Sequence, residues 1–153
     1  MPSELDNLDR AILRALQKDA AISMDALAER VALSRNACWR RVKRLEADGV
    51  LTGRTALIDP QTVGLGLSVF VLIRTNQHGP DWLRKFKSVV SEMPEIVGAH
   101  RMSGDLDYIL RVRVADVPAY DRFYQRLIAK IELSDVSASF VMEDMKDTTV
   151  LPI

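Results

Sequence analysis

The sequence predicts an α+β protein of two domains: an N-terminal three-helix helix-turn-helix and a C-terminal ferredoxin-like domain with the order β-α-β-β-α-β. Three observations carry this reading. Apolar residues recur at three- and four-residue spacing as far as Leu45, Pro60, Gly64 and Gly66 then interrupt the chain, and beyond them β-branched runs alternate with helical ones.

Leu5, Leu8, Ile12 and Leu16, with Ala11 and Ala15 beside them, predict an amphipathic helix over about Asn7 to Lys18. Ser23 offers a side-chain oxygen to cap a second helix, which carries Leu27, Ala28 and Val31. After the short Ala32-Leu33 connection, Ser34 caps a third helix that turns Cys38, Val42 and Leu45 inward and stops at Gly49. Val50 to Ile58 reads as extended, with a turn at Thr52-Gly53, and predicts a small wing or a connecting strand. Residues 1–53 are therefore expected to form the first domain, 54–66 an extended linker or wing, and 67–153 the second domain.

In the second domain, Leu67 to Thr75 is a predicted strand, and Asp81 to Met93 a helix that ends before Pro94. Ile96 to Met102 and Tyr108 to Val114 are strands joined by the turn Ser103-Gly104-Asp105. Asp116 to Ile131 is a helix displaying Tyr120, Phe123, Tyr124 and Leu127, and Val136 to Met142 is the last strand. Both alternating side-chain sets of Val69 to Ile73 are apolar, so the sheet face away from the helices is expected to be covered as well. A second copy meeting it across a two-fold axis is favoured over the N-terminal domain folding back.

Hydrophobic residues make up 48% and charged residues 27% of the 153, a balance that supports a buried core. No apolar stretch approaches the ~20 residues that span a bilayer, the N-terminus is charged from Glu4 onward, and Cys38 has no second cysteine to pair with. A cytoplasmic protein without a membrane partner is expected. Net charge is zero, yet Ser34 to Arg54 holds six basic residues against two acidic ones, the local footprint of an anionic partner. On the third helix, Arg35, Asn36, Trp39, Arg40 and Lys43 share the face opposite Cys38, Val42 and Leu45. Their donors match base edges and phosphates, and an exposed tryptophan among cations argues against a merely solvated face. The expected contacts to double-stranded DNA are Ser34, Arg35, Asn36, Trp39, Arg40, Lys43, Arg44 and Arg54. His78, His100 and Cys38 have no metal-ligand spacing, and no nucleophile, phosphate loop or cofactor motif accompanies Asp105 and Asp107, so neither a metal, a cofactor nor an enzyme is expected.

Leu8-Asp9 with Ile12-Leu13, the run Leu33 to Glu46, and Ser103-Gly104-Asp105-Leu106-Asp107-Tyr108 together resemble the Lrp/AsnC family of feast/famine transcription regulators over nearly the whole chain. Gly64-Leu65-Gly66-Leu67 and the ending Thr148 to Ile153 look most like the branch that contains the cysteine-responsive activator of a cysteine desulfidase. The resemblance implies a DNA-binding regulator whose ferredoxin-like domain senses an amino acid and oligomerises, as homodimers assembling into tetramers or octamers. It places a free amino acid, cysteine, methionine or a leucine-like one, between neighbouring sensory domains near Gly104. Matching positions are Arg101, Met102, Ser103, Gly104, Asp105, Asp107, Val117, Ser137, Ser139 and Val141. Asp107 is the first choice for the ammonium and Asp105 the second. Arg101 stands where leucine-responsive relatives carry an apolar residue, which shifts weight toward a smaller or polar effector. The competing reading is an amino-acid-binding oligomerisation module with a degenerate DNA-binding domain.

Overall fold

Local capping chemistry starts each of the first three helices in the computed structural model, which describes residues 4–153. Before α1 (Asn7–Lys18), the Asp6 carboxylate accepts the Asp9 N–H and the Asp9 carboxylate accepts the Asp6 N–H, a capping box that satisfies two donors with no helical partner. The Ser23 and Ser34 hydroxyls accept from Ala26 N–H and Ala37 N–H at the starts of α2 (Met24–Arg30) and α3 (Arg35–Ala47). Between those helices Ala32 takes a φ of 54°, a left-handed conformation that costs a non-glycine residue energy and closes the turn in very few residues. Ile12, Leu27, Cys38, Val42 and Leu45 fill the centre of this three-helix unit.

Residues 50–58 depart from the sequence expectation, since neither a wing strand nor a connecting strand forms there. The Val50 and Leu51 amides both return to the Leu45 carbonyl, which ends α3 without leaving a donor for a ladder. Residues 54–59 are exposed and carry no regular structure, in keeping with a linker. The end of the chain also departs from its expected domain: the helical unit, which runs through Leu57, takes back Lys146–Ile153, whereas Ile58–Met145 form the second unit.

That second unit is a four-stranded antiparallel sheet of β1 (Leu67–Arg74), β2 (Ile96–Arg101), β3 (Tyr108–Val114) and β4 (Asp135–Phe140), in the order β2-β3-β1-β4. With α4 (Pro80–Glu92) after β1 and α5 (Val117–Lys130) after β3, this is the ferredoxin-like arrangement. Val69, Val71 and Ile73 of β1 and Leu110 and Val112 of β3 are buried under Trp82, Phe86 and Val89 of α4 and Tyr120, Phe123 and Leu127 of α5. The other face presents Phe70 beside Arg111, Leu72 beside Ile109, and Ser137 and Ser139 of β4. Its centre is thus apolar, and Phe70 is 37% exposed. Among the described residues, no helix is long and apolar enough to cross a membrane.

Candidate functional site

Helix α3 buries Cys38, Val42 and Leu45, and this fixes which side chains face out. Asn36, Trp39 and Arg40 lie on the exposed side, with Trp39 half exposed. Among the described residues, Asn36 and Arg40 make no side-chain hydrogen bond or ion pair, so their donors are available to a ligand. Arg35 pairs with Asp25 at 3.0 Å, and Lys43 and Arg54 both reach Glu46, at 2.8 and 3.2 Å. These are exposed contacts whose small net worth allows exchange for phosphate. The two cations hold the Glu46 carboxyl below its usual range, Lys43 first by hydrogen bond and then Arg54 by charge. Ser34 caps the opposite, N-terminal end of the helix, next to Arg35.

Arg44 is placed differently from the rest of its predicted set. Its Nη2 lies 2.5 Å from Oδ2 of Asp9, a fully buried carboxylate, and Arg41 Nη1 reaches the other oxygen of Asp9 at 2.9 Å and Asp6 at 2.7 Å. The sequence reading missed this cluster. Its signal was an acidic residue standing among the apolar positions of α1, together with two arginines three positions apart on α3.

The second constellation centres on the β2–β3 loop. Gly104 adopts a φ of 107°, which side chains rarely tolerate, and so a glycine is needed there. The loop is pinned at its base: Met102 N–H donates to the Asp107 carbonyl, Asp107 N–H to Ile73, and Arg74 Nε to the Asp105 carbonyl at 2.9 Å. The Asp107 carboxylate accepts the Thr75 amide at 2.8 Å, whereas the Asp105 carboxylate is exposed and makes no contact among the described residues.

One chain does not bring the whole predicted effector set together. Arg101 pairs with Tyr108 on the helix-covered side of β2, while Ser137 and Ser139 lie opposite Leu72 and Phe70 on the bare face of β4, at the other edge of the sheet. Met102, Ser103, Gly104, Asp105 and Asp107 gather at the start of β3. Val117 opens α5 just past the far end of that strand, roughly 20 Å away along seven residues, and Val141 is tied there by its N–H to the Ser68 carbonyl.

Comparison with known proteins decides the lineage of both units. A winged helix-turn-helix DNA-binding model matches residues 5–52, and the Lrp/AsnC ligand binding domain matches residues 68–151. The chain belongs to the Lrp/AsnC family. It is 53% identical over 150 residues to the DNA-binding transcriptional activator DecR of Escherichia coli, covering 97% of this chain and 99% of that protein. An AsnC family transcriptional regulator from Agrobacterium tumefaciens superposes with a TM-score of 0.94 at 54% identity, over 97% of each chain. A transcriptional regulator of Neisseria meningitidis, solved in complex with L-methionine, superposes at 0.92 with 34% identity, again over 97% of each. As an Lrp/AsnC member, this protein is a transcription regulator with a DNA-binding domain and an amino-acid-binding domain, and its relatives are regulators rather than enzymes.

In this Lrp/AsnC chain the returning C-terminal segment is held by its backbone. Gln17 grips Leu151 twice, accepting its N–H at 2.6 Å and donating to its carbonyl at 3.3 Å, and Arg14 Nε donates to the Ile153 carbonyl. Ile153 packs against the helical core. These three hydrogen bonds use only main-chain groups of the tail, so no side-chain pattern announces them.

Proposed function

We propose that the protein reads duplex DNA through the outward face of α3 and couples that reading to a free amino acid. The observation that carries the first half is the unpaired Asn36 and Arg40 flanking half-exposed Trp39, with Arg35, Lys43 and Arg54 in exchangeable surface pairs. Arg44 is left out of the interface, since moving it would strip a partner from buried Asp9.

For the effector, the loop Met102 to Asp107 supplies backbone amides for a carboxylate, and Asp105 rather than Asp107 is assigned to the ammonium because Asp107 already serves Thr75. The remaining members, Val117, Ser137, Ser139 and Val141, come from other subunits. Their spread over both ends and both edges of one sheet makes this necessary if all of them share a pocket. Sheet faces carrying Phe70, Leu72 and Ile109 pair to form the dimer, dimers assemble further to a tetramer or octamer, and the protein works in the cytoplasm. Methionine is the preferred effector, by analogy with the Neisseria complex, ahead of cysteine and leucine.

The test is fluorescence anisotropy on DNA upstream of the protein's own gene, titrated with and without each of these amino acids. Arg40→Ala should weaken binding by ~1–3 kcal/mol and lower the salt slope by about one if the contact is to phosphate. Asp105→Ala should bind DNA as the parent does but lose ~1.5–3 kcal/mol of effector affinity. Failure of the intact protein to bind DNA at any modest salt would favour the amino-acid-binding module instead.

A further inference from the structure

A cleft of about 440 Å³ opens where α4 crosses the β2 edge of the sheet, on the helix-covered side and within a single subunit. Its volume falls within the range typical of small-molecule sites. Leu83, Phe86 and Val90 line it from one side of α4, and Tyr108 closes the floor from β3. Phe86 is stacked on Trp82 at 5.0 Å and stands 4.6 Å from the Tyr108 ring, so the apolar surface is a rigid aromatic shelf rather than a soft gap.

Besides Ser91 and His100, the polar side chains around that shelf are two cations and a phenol. Lys87 on α4 and Arg101 at the end of β2 line the opening, both exposed, and neither makes a hydrogen bond or ion pair among the described residues. Tyr108 is 7% exposed, and its hydroxyl likewise makes no hydrogen bond among them. No aspartate or glutamate is among the residues that form the cleft.

An apolar floor under two unpartnered cations and an unpaired phenol fits a carboxylate with a hydrophobic tail. The ammonium of an α-amino acid would stand beside Lys87 and Arg101, like charges, with no carboxylate to receive it as it leaves water. We infer that this cleft binds a monocarboxylate with a branched or aromatic tail and no amino group, the deaminated counterpart of an apolar amino acid. The site is separate from the amino-acid pocket proposed above. Arg101 borders both, but Lys87 and Ser91 belong to the cleft alone, and so they carry the test.

Calorimetric titration of the full chain with 3-phenylpropanoate and with L-phenylalanine compares two ligands that differ only in the amino group. The expected result is at least tenfold tighter binding of 3-phenylpropanoate. Lys87→Ala should weaken it about tenfold and Lys87→Arg should retain it, while Ser91→Phe, at an exposed helical position on the rim, should block it. Circular dichroism checks that the variants fold, and their response to L-methionine reads the amino-acid pocket independently. Equal affinity for the two ligands, no binding of 3-phenylpropanoate at millimolar concentration, or unchanged binding in Lys87→Ala and Ser91→Phe would overturn the inference. So would a fall in oligomer mass on Ser91→Phe in light scattering, which would assign the cleft to a second copy of the chain.

Discussion

The two units bury their interiors by different physics. The sheet unit has a core of aliphatic and aromatic side chains, with Phe123, Leu110 and Val71 fully buried among them. The helical unit also buries a charge: Asp9, with no exposed surface, is held between Arg41 and Arg44 of α3. Hydrophobic contact is non-directional, whereas carboxylate–guanidinium hydrogen bonds fix an angle. Helix α3, proposed above to read DNA, is thus locked to α1 by directional bonds. The sheet unit has no fully buried charged residue among those described, and its interior rests chiefly on packing.

The widest test of this contrast removes each kind of interior separately. Replacing Arg41 and Arg44 together by methionine leaves Asp9 without a counter-charge and should cost ~3–5 kcal/mol, read as faster amide exchange in α1 and α3. Phe123→Ala should cost a similar ~3–5 kcal/mol by cavity formation, with the loss appearing in β1 and β3 instead. If exchange accelerated in the same amides for both variants, the two interiors would be one cooperative unit and the contrast would fail.

A smaller effect separates the ends of the ion cluster. Asp9→Asn keeps the shape and lets Arg44, already 44% exposed, turn to water, so the expected loss is ~1.5–3 kcal/mol, below that of the double arginine variant. A loss as large as the double variant's would mean that the arginines, rather than the carboxylate, are the groups that cannot do without their partner.

Smaller still is the tail. Gln17→Ala removes both contacts to the Leu151 backbone and should cost ~0.5–1.5 kcal/mol, visible as release of residues 146–153 to limited proteolysis while α1 stays protected. An undigested tail in that variant would show that Ile153 packing alone secures it.

Acid should weaken the helical unit in part through Asp6. The Asp6 carboxyl is held below its ordinary value, chiefly by the Asp9 backbone N–H and then by Arg41. A carboxyl depressed in the folded state stabilises fully above its unfolded value, and that contribution is lost as pH falls through the lower folded one. Asp6→Asn should therefore flatten the acid limb of the stability curve of α1–α3 and leave the limb of the sheet unit unchanged. An unaltered acid limb would assign the loss to another carboxylate.

Much of what neighbours within one turn or one pleat decide was readable from the residues, although the Asp6–Asp9 capping box and the course of residues 50–58 were not. Ser23 and Ser34 cap the helices they precede, the three- and four-residue spacing of Cys38, Val42 and Leu45 named the buried face of α3, and the branched and aromatic run Leu67 to Thr75 named the strand. Those patterns are local, because a side chain's direction repeats with the backbone period whatever the rest of the chain does. Tertiary structure alone decided the rest. Arg44 and Arg40 are both outward cations to a periodicity argument, and only the approach of Asp9, 35 positions away, makes one a structural partner and leaves the other free. The same holds for Leu151 on Gln17, across 134 positions, and for the cleft between α4 and β2, whose cations lie on separate elements. Such meetings depend on how whole elements dock, and docking is set by the summed burial of many side chains rather than by any residue's place in its own period.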